Sequence, residues 1–181
     1  MDGVVYGGPH DGLSRSLAEE LGRQGWKVEL HIIRDMDITP CKGCFLCWTR
    51  TPGICVLRDD GRKPPQSMPH SDILVLMGPC FFGTHSPLLK KALDRCIPFL
   101  LPFFRKIHGE VHHKLRYRNP PCLLAVITER PDEQESATYH RLIERNAINL
   151  GSPMNGVIQL EEDEGGDLAV RMVIEAMEGM R

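Results

Sequence analysis

Four of the seven cysteines in this 181-residue chain lie close together, with the spacing C-x2-C-x2-C-x7-C. They are Cys41, Cys44, Cys47 and Cys55. A cubane iron–sulfur cluster needs one thiolate for each iron, and two-residue spacers allow a short loop to reach three of its corners. The fourth thiolate can come from farther along the chain. This segment is therefore a candidate site for a [4Fe–4S] cluster.

The same four cysteines are open to other interpretations. Zinc is the competing metal, although structural zinc sites favour two separated pairs of cysteines. Thiols of lowered pKa could instead serve redox chemistry. The simplest alternative is four unligated thiols in a loop that packs against the protein or against a second subunit.

A glycine-rich segment, Gly7-Gly8-Pro9-His10-Asp11-Gly12-Leu13-Ser14, joins the first predicted strand to the first predicted helix. Glycines let the backbone approach an anion closely, and the start of a helix offers unpaired N–H groups. Ser14 could add a hydroxyl donor. The segment lacks the Gly-Lys-Ser/Thr ending of a Walker A loop. It is a candidate phosphate loop, although a turn of this composition is often only a turn.

A second loop, residues 78–87, follows the third predicted strand. Its proline and glycines would hold an exposed backbone there, with Phe81 and Phe82 beside it. Such a loop suits the polar edge and the apolar face of a flat ring. For Phe81 and Phe82 taken alone, burial in the protein core is a better interpretation than contact with a ligand.

Strand-like and helix-like segments alternate along the chain. The expected strands cover 4–6, 28–33, 73–77, 122–128 and 157–160, and the expected helices cover 14–24, 86–96, 132–149 and 167–177. This order predicts an α/β fold, a doubly wound five-stranded parallel sheet with helices on both faces. Ligands of such sheets lie beyond the carboxyl ends of the strands.

Two segments do not fit this pattern. Three prolines argue against an ordinary helix between 61 and 71. Residues 97–121 are expected to form a long inserted loop with a functional or interface role. With 181 residues, the chain is expected to be a single domain, 1–181, with a cysteine loop at 40–60 and this insertion.

Bulk properties exclude several classes of function. The net charge of −2 gives no electrostatic reason to expect nucleic acid or an anionic membrane as a partner. The sequence contains no apolar stretch long enough to span a membrane, and its first residues do not resemble a signal peptide. We therefore expect a cytoplasmic protein, in which cysteines are more often free thiols or metal ligands than disulfides.

Two of these segments resemble the NADPH-dependent FMN reductase superfamily, which has a flavodoxin-like fold. Residues 77–83 and 89–95 are similar to its second flavin loop and the following helix, and the glycine-rich segment is similar to its first loop. In that first loop Gly8 replaces a serine, His10 lies near the usual arginine and Leu13 replaces an asparagine. The resemblance implies FMN bound by Gly8, Pro9, His10, Gly12, Ser14, Pro79, Cys80, Phe81, Phe82 and Gly83, with Thr128 in a third loop.

Residues 38–60 resemble the iron–sulfur flavoprotein branch of that superfamily. This implies a [4Fe–4S] cluster on the four cysteines beside FMN, a flavin at a subunit interface and hence a homodimer or homotetramer. It also implies NAD(P)H or a ferredoxin-like protein as electron donor.

Three hypotheses follow from these observations. The first is an FMN protein with a [4Fe–4S] cluster that transfers electrons. The second is an FMN-only NAD(P)H-dependent reductase of quinones or flavins. The third is a non-enzymatic zinc-binding or thiol-sensing module on the same fold. The sequence offers no convincing nucleophile–base pair, so catalytic residues are not assigned.

Overall fold

The computed structural model describes residues 1–7, 11–161 and 165–180. The strands are β1 (Asp2–Gly7), β2 (Lys27–Ile32), β3 (Ile73–Gly78), β4 (Cys80–Phe81), β5 (Thr84–His85), β6 (Leu100–Ile107), β7 (Glu110–Leu115), β8 (Cys122–Ile127) and β9 (Asn155–Gln159). The helices are α1 (Asp11–Arg23), α2 (Leu46–Thr49), α3 (Lys63–Ser67), α4 (Pro87–Asp94), α5 (Glu133–Leu150) and α6 (Gly166–Glu178).

The main sheet has five parallel strands in the order β2-β1-β3-β8-β9. Its central strands β3 and β8 are apolar and buried along their whole length, as expected for strands covered on both faces. The chain changes direction across the sheet between β1 and β3, which makes the carboxyl ends of these strands the switch point. The predicted doubly wound, flavodoxin-like α/β fold is confirmed.

Alternate residues of the central strands point into two separate apolar layers. Helices α1 and α6 cover one face, where the packed side chains include Val5, Leu17, Val75, Leu124 and Val173. Helices α4 and α5 cover the other, where they include Val4, Leu74, Leu89, Tyr139 and Ile143. The loops at the carboxyl edge are therefore supported from both sides of the sheet.

Residues 97–121 do not form the long loop that the sequence predicted. After a 3-10 turn, β6 and β7 pair as an antiparallel hairpin outside the main sheet. Its two-residue turn is His108-Gly109, with φ of 50° and 84°. Positive φ at both positions is the feature of the type I′ turn that joins twisted strands. The loop prediction is wrong because this turn, between two segments of strand-forming residues, was not recognised.

The proline-rich segment 61–71 contains only a single short helix, as the prolines predicted. Pro64 lies in the first turn of α3, where its missing N–H costs no hydrogen bond, and 3-10 turns flank the helix. The Tyr6 hydroxyl donates to the Pro64 carbonyl at 2.7 Å. This buried bond joins the segment to β1.

In the part of the chain that the structure describes, the helices lack the combination of length and apolar character that crossing a membrane requires.

Candidate functional site

The three predicted flavin loops begin at one edge of the sheet. Gly7 pairs with Met77 at the ends of β1 and β3, and Gly78 pairs with Ile127 at the ends of β3 and β8. The Thr128 N–H then donates to the Gly78 carbonyl at 3.2 Å. The fold thus brings the candidate loops together, although Gly8, Pro9 and His10 of the first loop lie outside the described residues.

Helix α1 begins at Asp11, three residues before the predicted start, so Gly12 and Ser14 lie in its first turn. Gly12 is exposed, whereas Ser14 is fully buried and its hydroxyl donates to the Met77 sulfur at 3.2 Å. A Cβ on Gly7 would lie 2.6 Å from the Ser14 Oγ. The Ser14 side chain therefore fixes α1 against the sheet and points away from solvent.

The second loop is a tight hairpin formed by β4 and β5. Its turn residues Phe82 and Gly83 have φ of 49° and 75°. Phe81 is 43% exposed and Phe82 is 90% exposed, so the expectation that they fill the core is wrong. These φ values are those of a type I′ turn, as at His108-Gly109, although a bulky residue with positive φ is uncommon. The loop presents two aromatic rings at the carboxyl edge of the sheet.

Gly83 lets this hairpin rest directly on α5. A Cβ at this position would lie 2.7 Å from Cβ and Cγ2 of Thr138 and 3.3 Å from the Glu135 carbonyl oxygen. The position therefore excludes a side chain for two reasons, its positive φ and its contact with the helix.

We expect Gly83→Ala to lower the free energy of unfolding by about 2–4 kcal/mol, from backbone strain and overpacking together. Gly109→Ala is the matched control, because Gly109 has φ of 84° but nothing within 4 Å of its Cβ position. That control is expected to lose only about 1–2 kcal/mol, from the left-handed backbone alone. Urea unfolding of both variants measures the difference, and equal losses would show that contact with α5 does not matter.

A buried hydrogen-bond network anchors the end of the second loop. His85 Nδ1 lies 2.8 Å from the Tyr139 hydroxyl, and Asn146 Nδ2 lies 3.3 Å from His85 Nε2. Because the Asn146 amide nitrogen can only donate, the proton of the neutral ring is on Nδ1. Burial lowers the pKa of His85 to about 4 and raises the pKa of Tyr139 well above its usual value. Sequence reasoning missed this network, in which His85 lies 54 positions from Tyr139 and 61 from Asn146.

Two further polar groups lie at this edge. Burial is the main cause that raises the pKa of the half-buried Cys80 thiol, which is protonated at neutral pH. The Thr128 Oγ1 is buried and has no hydrogen-bond partner among the described residues. Buried hydroxyls are rarely unpaired in folded proteins. An unpaired hydroxyl beside an exposed loop backbone and two aromatic rings fits the polar edge and flat face of a flavin.

The four predicted metal-ligating cysteines line a single pocket. It lies between the cysteine loop and the residues just after α4, and its lining includes Cys41, Cys44, Cys47, Cys55, Arg95 and Pro98. Cys41 and Cys44 are exposed, Cys55 is partly buried and Cys47 is buried. Burial first, and then the nearby thiols, raise the pKa of Cys47. Within the described ranges, no three Cys, His, Asp or Glu side chains are already arranged as metal ligands.

Left-handed backbone at Gly43 and Phe45, with φ of 61° and 55°, wraps the loop around this pocket. The Phe45 ring stacks on Trp48 with ring centroids 5.0 Å apart. The Trp48 indole N–H donates to the Leu100 carbonyl at 3.0 Å. These contacts join the cysteine loop to the β6–β7 hairpin.

Arg95, which lines this pocket, belongs to an ion pair that the sequence did not single out. Arg95 donates to both carboxylate oxygens of Asp59, at 2.7 and 2.9 Å, and to the Thr39 carbonyl at 2.6 Å. The hydrogen bonds from Arg95 hold the pKa of Asp59 far below its usual value. Burial opposes the charge on Arg95, but Asp59 and the neighbouring Cys55 outweigh it, so the pKa of Arg95 is raised. Arg95 could have been noticed as the last residue of the 89–95 motif.

The two candidate sites lie at opposite ends of α4. The second flavin loop ends at Ser86, the N-cap of the helix, whereas Arg95 and Pro98 follow its last turn. Eight helical residues span about 12 Å. One short helix therefore connects the flavin loop to the cysteine pocket.

Two iron–sulfur flavoproteins match part of this sequence. One from Archaeoglobus fulgidus is 33% identical over 79 residues, which cover 44% of this chain and 38% of that protein. One from Methanocaldococcus jannaschii is 30% identical over 91 residues, which cover 50% of this chain and 46% of that protein. The matches span less than half the length of these relatives.

A solved structure and a family model extend the comparison. The NAD(P)H:quinone oxidoreductase from Methanothermobacter marburgensis has a TM-score of 0.59 at 14% identity, covering 100% of this chain and 94% of that chain. This likeness shows a shared fold. The model of the NADPH-dependent FMN reductases matches residues 3–127, which include the first two of the three predicted flavin loops. The chain therefore belongs to the NADPH-dependent FMN reductase family.

Proposed function

We propose that this protein binds FMN and transfers electrons, with a [4Fe–4S] cluster held by Cys41, Cys44, Cys47 and Cys55. The observation that carries the proposal is the single pocket lined by all four thiols. The two iron–sulfur flavoproteins that match the sequence support it. In this proposal the electron donor is NAD(P)H or a ferredoxin-like protein, and the active form is a homodimer or homotetramer.

Bound FMN would exchange hydride or single electrons, whereas a [4Fe–4S] cluster exchanges single electrons. The residues of the chain supply binding and orientation. The backbone of loop 78–83 and the Thr128 hydroxyl would hold the polar edge of the ring, with Phe81 and Phe82 excluding water beside it. The His85–Tyr139 bond keeps this loop in place. The first turn of α1, with Gly12, would receive the phosphate through backbone N–H groups.

The decisive experiment is purification without oxygen, followed by a visible spectrum and analysis for flavin, iron and sulfide. We expect one FMN and about four irons per chain. Protein that keeps FMN but takes up no stoichiometric iron after anaerobic reconstitution contradicts the cluster. Protein that retains zinc and no FMN favours the non-enzymatic, thiol-based module.

An FMN-only NAD(P)H-dependent reductase of quinones or flavins is the second candidate. It is favoured by the finding that the thiols of the described residues are not already arranged as metal ligands. The fold shared with an NAD(P)H:quinone oxidoreductase is consistent with it. Fast oxidation of NAD(P)H by iron-free, FMN-loaded protein, with a quinone as acceptor, would support this function.

The unpaired Thr128 hydroxyl gives a direct test of FMN binding. We expect Thr128→Val to weaken FMN binding about fivefold, because one hydrogen bond to the ligand is lost. The same change should leave the apoprotein as stable as the wild type or slightly more stable, since the hydroxyl is buried without a partner among the described residues. Fluorescence titration measures affinity and thermal unfolding measures stability. Thr49→Val, at an exposed position on α2, is the control.

If Thr128→Val binds FMN as tightly as the wild type, and the melting temperature of its apoprotein shows that the fold is intact, this hydroxyl does not contact the flavin.

A further inference from the structure

Arg95 carries the most deeply buried positive charge at the cysteine pocket. The residue is 1% exposed and its guanidinium lies against the Gly61 backbone, where a Cβ would be 2.8 Å from the Cζ. Its two terminal nitrogens bind the Asp59 carboxylate and the Thr39 carbonyl. Thr39 precedes the first three cysteines and Asp59 follows the fourth. Arg95 therefore fixes both ends of the cysteine loop.

The third nitrogen of this guanidinium, Nε, makes none of these hydrogen bonds. The Nε of Arg95 is buried and has no hydrogen-bond partner in the described part of the chain. Leaving a charged donor buried and unpaired is costly, and such a group normally has a partner. Arg95 lines the same pocket as the four cysteines, with Cys55 close enough to interact with it. The missing partner is therefore expected inside that pocket.

We propose that Arg95 is a positioning residue of the cysteine site, which holds the loop through its terminal nitrogens and offers its charge and Nε–H to the sulfur ligands when the site is filled. The proposal rests on the proposed cluster. Four thiolates bring more negative charge than an iron–sulfur core neutralises. A buried cation that donates a hydrogen bond to sulfur stabilises the more negative, reduced state and raises the reduction potential.

The other charged groups that line the pocket cannot replace this contribution. Lys42 is exposed, so water screens its charge, and Asp94 is negative. Asp59, the ion-pair partner behind Arg95, has a side chain only 8% exposed and opposes the arginine, since a carboxylate lowers the reduction potential. The two members of the ion pair should therefore shift the potential in opposite directions.

This opposition provides the test. Asp59→Asn keeps the shape of the side chain and removes the negative charge, so we expect a higher potential than in the wild type. Adding Arg95→Met to Asp59→Asn removes the guanidinium without leaving an unpaired buried carboxylate. We expect the double variant to have a lower potential than Asp59→Asn and to lose iron to a chelator at least tenfold faster.

The potential is measured by a redox titration followed by electron paramagnetic resonance on anaerobically reconstituted protein, and circular dichroism monitors folding. If the double variant does not fold, Arg95→Lys replaces it, because lysine keeps the charge and lacks the Nε donor. That variant too is expected to have a lower potential than the wild type.

If the wild type holds a normal cluster and the double variant has the same potential as Asp59→Asn, the proposed role of Arg95 is overturned and the proposed cluster is not. If Arg95→Lys is used in place of the double variant, a potential equal to that of the wild type likewise overturns the role of Arg95. Wild-type protein that takes up no iron overturns the cluster and this role with it. A purely structural role predicts faster iron loss with no change in the potential of the clusters that remain.

Discussion

Cys47→Ser is expected to remove the cluster from the protein while FMN remains bound. Cys47 is the most buried of the four cysteines and lies in α2. The other three reach the same pocket from an exposed or partly buried loop. With one thiolate missing, a [4Fe–4S] cluster has one iron without a protein ligand and is readily lost. We expect iron and sulfide to fall below a tenth of the wild-type content.

The control removes a cysteine that lies outside the pocket. Cys122 is buried at the start of β8, in the apolar layer under α6, and Cys122→Ala should keep full iron. Metal and sulfide analysis, a visible spectrum and extracted FMN are measured for both variants. Wild-type iron content in Cys47→Ser would mean that other residues bind the metal. Loss of FMN together with iron would mean that the substitution damages the fold.

The fold could be predicted because its strongest signals are local. Strands β3 and β8 are uninterrupted apolar segments, and burial on both faces of a parallel sheet explains that composition. The helix expected over 132–149 was confirmed as α5, which a capping box at Asp132 begins and the left-handed Gly151 ends. The parallel, doubly wound arrangement followed from the alternation of strands and helices.

The features that were missed depend on residues far apart in the sequence or on turn conformation. The hairpin β6–β7 depends on His108 taking a left-handed conformation, which a non-glycine residue seldom adopts. Phe82 has the same conformation. The turn exposes its ring to solvent, although an apolar residue is expected to be buried. Ser14 matched a loop motif but bonds to Met77, 63 residues away. The Arg95–Asp59 pair is separated by 36 residues.

Acid is expected to destabilise this protein before its carboxylates titrate, because His85 is held neutral inside the fold. The pKa of His85 is about 4 in the folded state, against about 6.5 for a histidine in the unfolded chain. Between these two values the unfolded chain binds a proton that the folded protein does not bind. The free energy of unfolding therefore falls as the pH is lowered from 6.5 to 4, by about 3 kcal/mol from this group. Below pH 4 both states are protonated and the contribution of His85 stops changing.

The structural reason is the network that anchors the flavin loop. A protonated ring would carry a hydrogen on Nε2, where the Asn146 amide nitrogen also donates, so that one hydrogen bond becomes a repulsive contact. His31 acts in the same direction, because burial lowers its pKa as well. In the folded protein this ring becomes charged only near pH 4, so acid should loosen the second flavin loop and weaken FMN binding near that pH.

His85→Gln tests this assignment, and His140→Gln, an exposed histidine on α5, controls for the loss of one histidine. We expect His85→Gln to be less stable than the wild type near neutral pH, because the bond to Tyr139 is weakened or lost. Its stability should fall by about 3 kcal/mol less between pH 6.5 and 4. Urea unfolding at a series of pH values measures both effects. A wild-type pH dependence in His85→Gln would assign the acid sensitivity to His31 or to another group, and the flavin loop would then be insensitive to this titration.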